Sequence, residues 1–267
     1  MNRKPAVSGM FYPSTPAELR EMIEEFVDRK AAKEKAIAII SPHAGYIYSG
    51  KVAGRIFSSV ELPENFIILC PNHTGRGARA SIMDYGTWET PLGKVKINSD
   101  LALLLKDNSP TLEADSDAHI REHSLEVQLP FLQHLLDDFS FVPICLSTQS
   151  YRELTDIGEG IASSVREYEK PVLIIVSSDM THYEDANSAR EKDMKAIRMI
   201  EEINPRGLYD TVRSEGITMC GYAPAVSALE ACCQLKAKRG KLVIYTTSGD
   251  TTGDYSSVVA YAGVLIA

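Results

Sequence analysis

Residues 36–52, AIAIISPHAGYIYSGKV, decide how this chain folds. The run AIAII at 36–40 is apolar without alternation, which is typical of a strand covered on both faces of a sheet. The run ends in a polar turn that contains His43, and Gly45 lets the chain turn towards a helix predicted over residues 50–60. A buried strand followed by a short turn and a helix indicates an α/β fold.

The same stretch comes within one residue of a phosphate-binding loop. Residues 45–52 match the pattern G-x-x-x-x-G-K-[ST] except at the last position, where Val52 lacks the hydroxyl that coordinates Mg²⁺. Backbone amides that wrap a phosphate need small neighbours, whereas residues 46–48 are Tyr-Ile-Tyr. We therefore predict no nucleotide site here and expect His43 to be the functional residue.

Apolar runs and helical patterns alternate along the rest of the chain. Further strands are predicted at 66–70, 139–146, 172–176, 242–246 and 258–266. Helices are predicted from Thr15, which can cap the first, to about residue 33, and at 50–60, 101–106, 124–137, 153–167, 186–203 and 223–235. Residues 87–97 read as a hairpin. We predict one domain over residues 1–267 with a three-layer α/β/α fold and a central, mostly parallel or mixed sheet.

Composition narrows the classes of function. The 267 residues carry 28 Lys plus Arg against 36 Asp plus Glu, a net charge of −8 that argues against nucleic-acid or anionic-membrane partners. The N-terminus lacks the apolar core of a signal peptide, and the uncharged stretches are too short to span a bilayer. Five cysteines without a C-x-x-C pair favour free thiols in a reducing compartment. We therefore expect a cytoplasmic protein.

Three of the predicted strands end in polar residues of the same kind. AIAII leads to His43, FIILC leads to His73, and VLIIV leads to Asp179 and His182. Ligands of open α/β sheets bind beyond the carboxyl ends of the strands, so parallel neighbours would bring these side chains to one rim. Neutral imidazole is a common ligand of Zn, Cu and Fe. A single such histidine more often hydrogen-bonds its own loop, and Asp179 could instead cap a turn.

Two further segments carry polar residues among apolar ones. In DAHIREHSLEVQLP, residues 117–130, His123 and Glu126 are three apart and would share one face of a helix, with Glu122 beside them. Such pairs are common on exposed helices. In GITMCGYAP, residues 216–224, Cys220 precedes a predicted helix and is either a buried structural thiol or a member of a site.

Five ordered motifs give the sequence a resemblance to the Memo family. They are SPHAGYIYSG, PNH, DAHIREHSLEVQLPFL, SSDMTHY and MCGYAPAVSAL, and the resemblance runs from VSGMFYP near the N-terminus to the C-terminal SSVVAYAGVLIA. The Memo family is structurally similar to class III non-haem iron extradiol dioxygenases of the protocatechuate-4,5-dioxygenase type. The resemblance thus implies an extradiol-dioxygenase-like fold with a metal pocket at one edge of the sheet.

The resemblance also implies roles for individual residues. It makes His43, His73 and Cys220 the metal ligands, and it places Asp179 in the same pocket as His182, the acid/base histidine. The segment with Glu122, His123 and Glu126 would support the pocket wall. The dioxygenases use two histidines and a carboxylate, whereas a thiolate as third ligand is softer, so that Fe(II) or Cu is expected, with Zn as a further option.

Three functions are compatible with these residues. The first is a metal-dependent redox protein in which Asp179 orients His182 as a proton carrier. The second is a non-catalytic module that binds a small molecule or a peptide in the same pocket. The third is a zinc hydrolase in which Asp179 or His182 activates a metal-bound water. We favour the redox protein.

Overall fold

Twelve strands form one sheet in the computed structural model, which describes all 267 residues. The strands are β1 (Asn2–Arg3), β2 (Ala38–Ser41), β3 (Asn65–Pro71), β4 (Ala80–Ile82), β5 (Thr87–Thr90), β6 (Gly93–Ile97), β7 (Glu113–Ala114), β8 (Ser140–Leu146), β9 (Val172–Ser177), β10 (His182–Glu184), β11 (Gly240–Thr247) and β12 (Val258–Ile266). Their order is β1-β5-β6-β8-β3-β9-β2-β12-β10, with β11 paired to β12, β4 paired to β8, and β7 paired to β4.

Ten α-helices and one 3-10 turn at Glu126–Gln128 connect the strands. The helices are α1 (Pro16–Phe26), α2 (Tyr46–Ser58), α3 (Ser99–Asn108), α4 (Asp117–Ile120), α5 (Leu129–Leu135), α6 (Tyr151–Tyr168), α7 (Ala186–Glu201), α8 (Pro205–Ser214), α9 (Tyr222–Gln234) and α10 (Gly249–Thr252). None of them combines the length and the apolar composition that a lipid bilayer requires of a spanning helix.

The centre of the sheet is parallel and its edges are antiparallel. Strands β8, β3, β9 and β2 lie side by side in parallel, whereas β12 runs antiparallel to β2, β10 and β11. The three strands expected to end in site residues are the neighbours β3, β9 and β2. Their carboxyl ends therefore meet at one rim.

Side chains of the central strands point alternately into two separate cores. Ile67 and Leu69 of β3 belong to a core shared with α3, α6, α7, α8 and α9, while Phe66 and Ile68 belong to a second core with α1, α2 and α5. Because both faces are covered, the strands have no polar side, and their sequences do not alternate. This confirms the predicted three-layer α/β/α fold with a mixed sheet.

The bounds of α2 show where the phosphate-like stretch at residues 45–52 lies in the fold. The helix begins at Tyr46, four residues earlier than predicted, and Val52 is fully buried within it. Lys51 is exposed on the same helix. The Gly-Lys pair thus lies inside a regular helix with a core-facing valine after it.

The first helix ends earlier than the sequence indicated, at Phe26 and not near residue 33. Asp28 explains the difference, because its backbone N–H donates to Ser58 Oγ at 2.9 Å and its carboxylate pairs with Arg55 at 2.7 Å. Both contacts tie the chain to α2. If α1 continued beyond Phe26, Asp28 would be carried away from Ser58 and Arg55.

Two other segments differ from the prediction. The helix predicted over 124–137 is a 3-10 turn followed by α5, and His123 precedes both, so that His123 and Glu126 do not share a helix face. Helix α8 was not predicted. Its signal is Asn204-Pro205, where the Asn204 side chain accepts a hydrogen bond from Gly207 N at 2.7 Å and proline takes the first helical position.

A buried ion pair fixes the N-terminal segment to the wall of the rim. The Arg3 guanidinium contacts the carboxylate of Glu126, and both side chains are at most 1% exposed. The same carboxylate accepts hydrogen bonds from Ala6 N at 2.7 Å, Val7 N at 3.1 Å and the Tyr12 hydroxyl. Glu126, expected as a wall residue, therefore holds residues 3–12 in place.

We expect Glu126→Gln to lower the free energy of unfolding by about 3 kcal/mol or more, because Arg3 would be left as a buried charge without a counter-ion. Urea titration of the metal-free protein measures the change. Glu89→Gln is the control, since Glu89 pairs with Lys4 at the surface and little change is expected there. Equal stability of the wild type and the Glu126 variant would contradict the assignment.

His119 is a buried histidine that the fold keeps neutral. Ser81 Oγ donates to Asp115 O at 2.9 Å and so accepts from His119 Nε2 at 2.9 Å, which leaves Nδ1 without a partner. Burial, with a further contribution from the charge of Arg3, lowers the pKa of His119 to about 4.

We predict a loss of stability in acid that depends on His119. An unfolded histidine titrates near pH 6.5, so between that pH and about 4 the unfolded chain binds a proton that the folded chain does not. The contribution of His119 falls by roughly 2 kcal/mol between pH 7 and pH 5. His119→Gln should lose less stability over this interval in urea titrations. The same pH dependence in both proteins would refute the prediction.

Candidate metal centre

His43 follows β2 and is held in one tautomer by Ser177, the last residue of β9. Ser177 Oγ donates to Ser124 O at 2.6 Å, so it must accept from His43 Nδ1 at 2.9 Å and from Gln128 Nε2 at 2.9 Å. The proton of His43 therefore lies on Nδ1, and Nε2 carries the free lone pair. Burial, with the nearby His73, holds the pKa of His43 well below its usual range.

His73 follows β3 and is held in the same tautomer by Glu122. Its backbone N–H and ring Nδ1 contact the two carboxylate oxygens of Glu122 at 2.6 and 3.0 Å. The ring donates from Nδ1 and leaves Nε2 free, as in the carboxylate–histidine pairs of metal sites. Burial lowers the pKa of His73, but the hydrogen bond and charge of Glu122 outweigh it, and the net shift is upwards.

Glu122 is a buried carboxylate with a full set of donors. Besides the two contacts with His73, it accepts hydrogen bonds from Ser124 N at 2.9 Å and Ser124 Oγ at 2.7 Å. Burial raises the pKa of Glu122, but the hydrogen bonds and charge of these partners outweigh it and hold the pKa at about 2. Glu122 therefore stays ionised and fixes the ring of His73.

The structure brings three imidazoles together. One ring nitrogen each of His43, His73 and His123 lies within 4.8 Å of the other two, which is close enough to hold a metal ion. Phe11 packs on the ring of His123 with centroids 4.8 Å apart. His123, expected only in the pocket wall, thus belongs to the group that could bind a metal.

Cys220 lies beside this group. Its Sγ is 3.2 Å from His43 Nε2 and accepts a hydrogen bond from Asp179 N at 3.3 Å. Burial raises the pKa of the thiol, so it stays protonated unless a cation compensates the thiolate. The sequence left Cys220 as a structural thiol or a site residue, and its contact with His43 favours the site.

Gly221 allows Cys220 to reach this position. A Cβ on Gly221 would lie 2.4 Å from Ser178 Cβ and 2.5 Å from Ser177 O, closer than atoms can approach. The Gly221 N–H donates instead to Ser178 Oγ at 3.0 Å. The turn that carries the thiol therefore packs directly on the end of β9.

The carboxylate of Asp179 accepts a hydrogen bond from the backbone of His43 and none from His182. Its Oδ1 accepts from His43 N at 2.7 Å, and burial raises the pKa of its carboxyl group. His182 is anchored by Thr218, whose Oγ1 accepts from His182 N at 2.7 Å and whose carbonyl accepts from His182 Nδ1 at 3.0 Å. We expected Asp179 to orient His182, but the carbonyl of Thr218 sets its tautomer.

Sequence reasoning missed the residues that fix the tautomers. Ser177, Gln128 and Thr218 make the decisive hydrogen bonds, and none of them stood out as a candidate. Ser177 and Gln128 do have a signal, since each is a polar residue within a buried apolar segment. A buried polar side chain needs a partner, and that need points to the neighbouring imidazole.

A cavity opens directly on the centre. It has a volume of about 260 Å³, and both His73 and Cys220 line it together with Asn72, Thr148, Gln149 and Tyr222. Asn72 folds the turn after β3, because its Oδ1 accepts hydrogen bonds from Thr74 N and Gly75 N at 3.1 and 2.9 Å. The cavity gives a small molecule access to two of the candidate ligands.

The donor set suits a transition metal. Two imidazoles present unprotonated Nε2 atoms, a third imidazole is close by, and a thiol lies against His43. Nitrogen and sulfur ligands select Zn, Cu or Fe over Mg or Ca. The residues present therefore fit a metal ion, with Ser177 and Glu122 as outer partners that orient the rings.

We expect Glu122→Gln to weaken metal binding by roughly 10- to 100-fold, because an amide cannot accept hydrogen bonds through both of its terminal atoms. One of the donors from His73 or Ser124 would face the new NH₂ group, and His73 would lose its fixed ring. Anaerobic titration with Cu(I) or Fe(II) against a competing chelator measures the affinity. Glu89→Gln, at the surface, should bind like the wild type, and unchanged affinity in the Glu122 variant would contradict this role.

Comparison with known proteins identifies relatives over the whole chain. A family model described as Memo-like protein matches residues 3–265. MEMO1 family proteins of Methanococcus maripaludis and Methanocaldococcus jannaschii are each 42% identical, and that of Aquifex aeolicus is 43% identical. At least 98% of each chain is covered in all three alignments.

A solved structure shares the fold. The crystal structure of an uncharacterized protein from Escherichia coli K12 matches with a TM-score of 0.61 at 12% sequence identity, covering 86% of this chain and 100% of that one. This likeness supports the three-layer architecture alone. The match to the family model and the identities of about 40% show that the chain belongs to the Memo-like family.

Proposed function

We propose that the protein is a metal-dependent redox protein in which His43, His73 and Cys220 hold Fe(II) or Cu. The observation that carries the proposal is the pair of imidazoles whose Nδ1 atoms are both engaged by hydrogen bonds, so that each Nε2 keeps a lone pair that can bind a metal ion, with Cys220 Sγ 3.2 Å from that of His43. Ring nitrogens of His43, His73 and His123 lie within 4.8 Å of one another, and a metal ion bound between them would satisfy the free lone pairs.

The third ligand decides the preferred metal. Cys220 Sγ is 3.2 Å from His43 Nε2, and His123 offers a ring nitrogen within 4.8 Å of ring nitrogens of His43 and His73. We assign the third position to Cys220, because a buried thiol next to an imidazole gains most from a cation that stabilises its thiolate. His123 would then be an adjacent base, or a fourth donor when Cu or Zn is loaded.

A bound Fe or Cu ion would supply one-electron chemistry that no side chain of the site offers. His182 would carry a proton at Nε2, since its Nδ1–H is held by the carbonyl of Thr218. Asp179 keeps the backbone of His43 in place.

The reactant is proposed to be a small molecule. The cavity of about 260 Å³ is smaller than the roughly 300–1,000 Å³ of sites for drug-sized ligands. It is too small to enclose a folded segment, which favours a small ligand over a peptide. We further propose a cytoplasmic location, which the five free thiols support.

We expect His43→Ala, His73→Ala and Cys220→Ala each to lower the affinity for the metal ion by more than roughly 100-fold, which is the upper end for the loss of a residue that only orients a ligand. His123→Ala should retain Fe(II) within about 10-fold. Elemental analysis after dialysis measures the metal content of each variant, and anaerobic titration measures its affinity. Cys233→Ala is the matched control, because its thiol is exposed and lies at the opposite end of α9 from Cys220.

Other outcomes would refute the proposal. Wild-type affinity in the Cys220 variant would remove the thiolate from the ligand set. Hydrolysis of an ester or amide by zinc-loaded protein, without oxygen and without a change of metal oxidation state, would assign a hydrolase in place of a redox protein.

A further inference from the structure

Phe11, which packs on His123, also lines a second cavity. This cavity has a volume of about 420 Å³ and is called here the apolar cavity. It lies between the N-terminal segment, α1 and the start of α2, and its large side chains are those of Met10, Phe11, Tyr12, Met22, Ile47 and Tyr48. None of the candidate metal ligands lines it, so it is separate from the cavity of about 260 Å³ at the centre.

The N-terminal wall of the apolar cavity is fixed by hydrogen bonds within the protein. The N–H of Phe11 donates to Val7 O at 2.9 Å, and Phe11 O accepts from Tyr46 N at 2.8 Å, which ties this turn to the start of α2. The Tyr12 hydroxyl donates to the buried carboxylate of Glu126. The cavity is therefore formed before a ligand arrives, as small-molecule sites usually are.

The lining of the apolar cavity selects against charged ligands. No charged side chain lines it. Because the hydroxyl of Tyr12 is used by Glu126, the Tyr48 hydroxyl is the one side-chain group of the lining that remains for a polar atom of a ligand. An ion that entered would lose hydration without gaining a partner of opposite charge. We therefore expect the occupant to be neutral.

The apolar side chains suit a flat molecule. The thioethers of Met10 and Met22 adapt to the shape of a ligand and make favourable contacts with the edges of aromatic rings. The rings of Phe11 and Tyr48 add aromatic surface for edge or offset contacts. A planar apolar molecule thus gains both kinds of contact in this cavity.

The size of the cavity favours a small molecule over a protein partner. Stable protein interfaces bury about 800 Å² on each partner. Among the lining residues, only Met10 and Ile47 are large apolar side chains that stand exposed, at 77% and 59%. The volume of about 420 Å³ lies within the roughly 300–1,000 Å³ of small-molecule sites.

We propose that the apolar cavity is a binding site for a neutral, planar, apolar small molecule. The occupant would contact Phe11, whose ring lies 4.8 Å from that of His123, and would therefore be separated from the group of imidazoles by one aromatic side chain. The site is independent of the proposed redox function, because no candidate metal ligand takes part in it.

The experiment uses two probes, indole, which is neutral, and indole-5-carboxylate, which adds a negative charge to the same ring. The metal-free full chain carries carbon-13 at its methionine methyl groups for NMR, and calorimetry measures both affinities. We expect indole to shift the methyl resonances of Met10 and Met22 and to leave unchanged those of Met180 and Met219, which belong to the core on the other face of the sheet. Indole should bind at least about 10-fold more tightly than the carboxylate.

Substitutions in the lining should weaken the binding of indole. Met22→Gln is expected to lower the affinity about 10-fold, because it places an amide without a hydrogen-bond partner against the ligand. Ile47→Gln should lower it about 3-fold, since that side chain is already 59% exposed. Leu103→Gln is the matched control, because Leu103 is 56% exposed on α3 and lines no part of this cavity.

Three outcomes would overturn the proposed site. They are an absence of shifts at Met10 and Met22, equal affinity for the two probes, and wild-type affinity in a Met22→Gln protein whose Met180 and Met219 resonances show an intact core. A dimer that forms with rising concentration in the wild type but not in Ile47→Gln would assign the cavity to an interface between two copies of the chain. All measurements use metal-free protein, so a failure of the redox proposal leaves the outcome for this site unaffected.

Discussion

The site depends on a negative charge that the protein keeps away from water. Glu122 is fully buried, and an isolated carboxylate in such surroundings would cost more free energy than most single contacts can offset. It is tolerated because four hydrogen bonds from His73 and Ser124 converge on its two oxygens. Each donor is thereby fixed in direction, and the ring of His73 can present only one nitrogen to the centre. The orientation of that imidazole follows from electrostatics that are complete before a metal binds.

A second buried carboxylate four residues later extends the same principle to the N-terminal segment. Glu126 gathers backbone N–H groups of Ala6 and Val7 as well as the guanidinium of Arg3. Phe11, which packs on His123, is carried by the segment so anchored. The stretch between β7 and α5 thus supports the centre through Glu122, which holds His73, and through Glu126, which holds the N-terminal segment. Both carboxylates lie in the turns that flank α4 and the 3-10 turn or at their ends, where side-chain contacts add to the backbone hydrogen bonds.

Much of the fold could be predicted because unbroken apolar strands leave few alternatives to a covered, largely parallel sheet. The meeting of His43, His73 and Asp179 followed from that topology, since β2, β9 and β3 are neighbours. The hydrogen-bond partners that orient these side chains did not follow from the topology. Ser177 and Thr218 act through a single oxygen at a particular angle, and such geometry has no period or spacing in a sequence. Helix ends were misjudged for a related reason, since the tertiary contacts of Asp28, and not local propensity, end α1.

Thr218 gives the site a property that separate residues would lack. It holds His182 through both its side chain and its carbonyl, and only one residue separates it from Cys220. The ring of His182 and the thiol of Cys220 are therefore linked through residues 218–220, a segment of three residues. A displacement of Cys220 would therefore also act on the carbonyl of Thr218, which accepts from His182 Nδ1. The position of Cys220 and that of the carbonyl that orients His182 are thus coupled by the covalent chain itself.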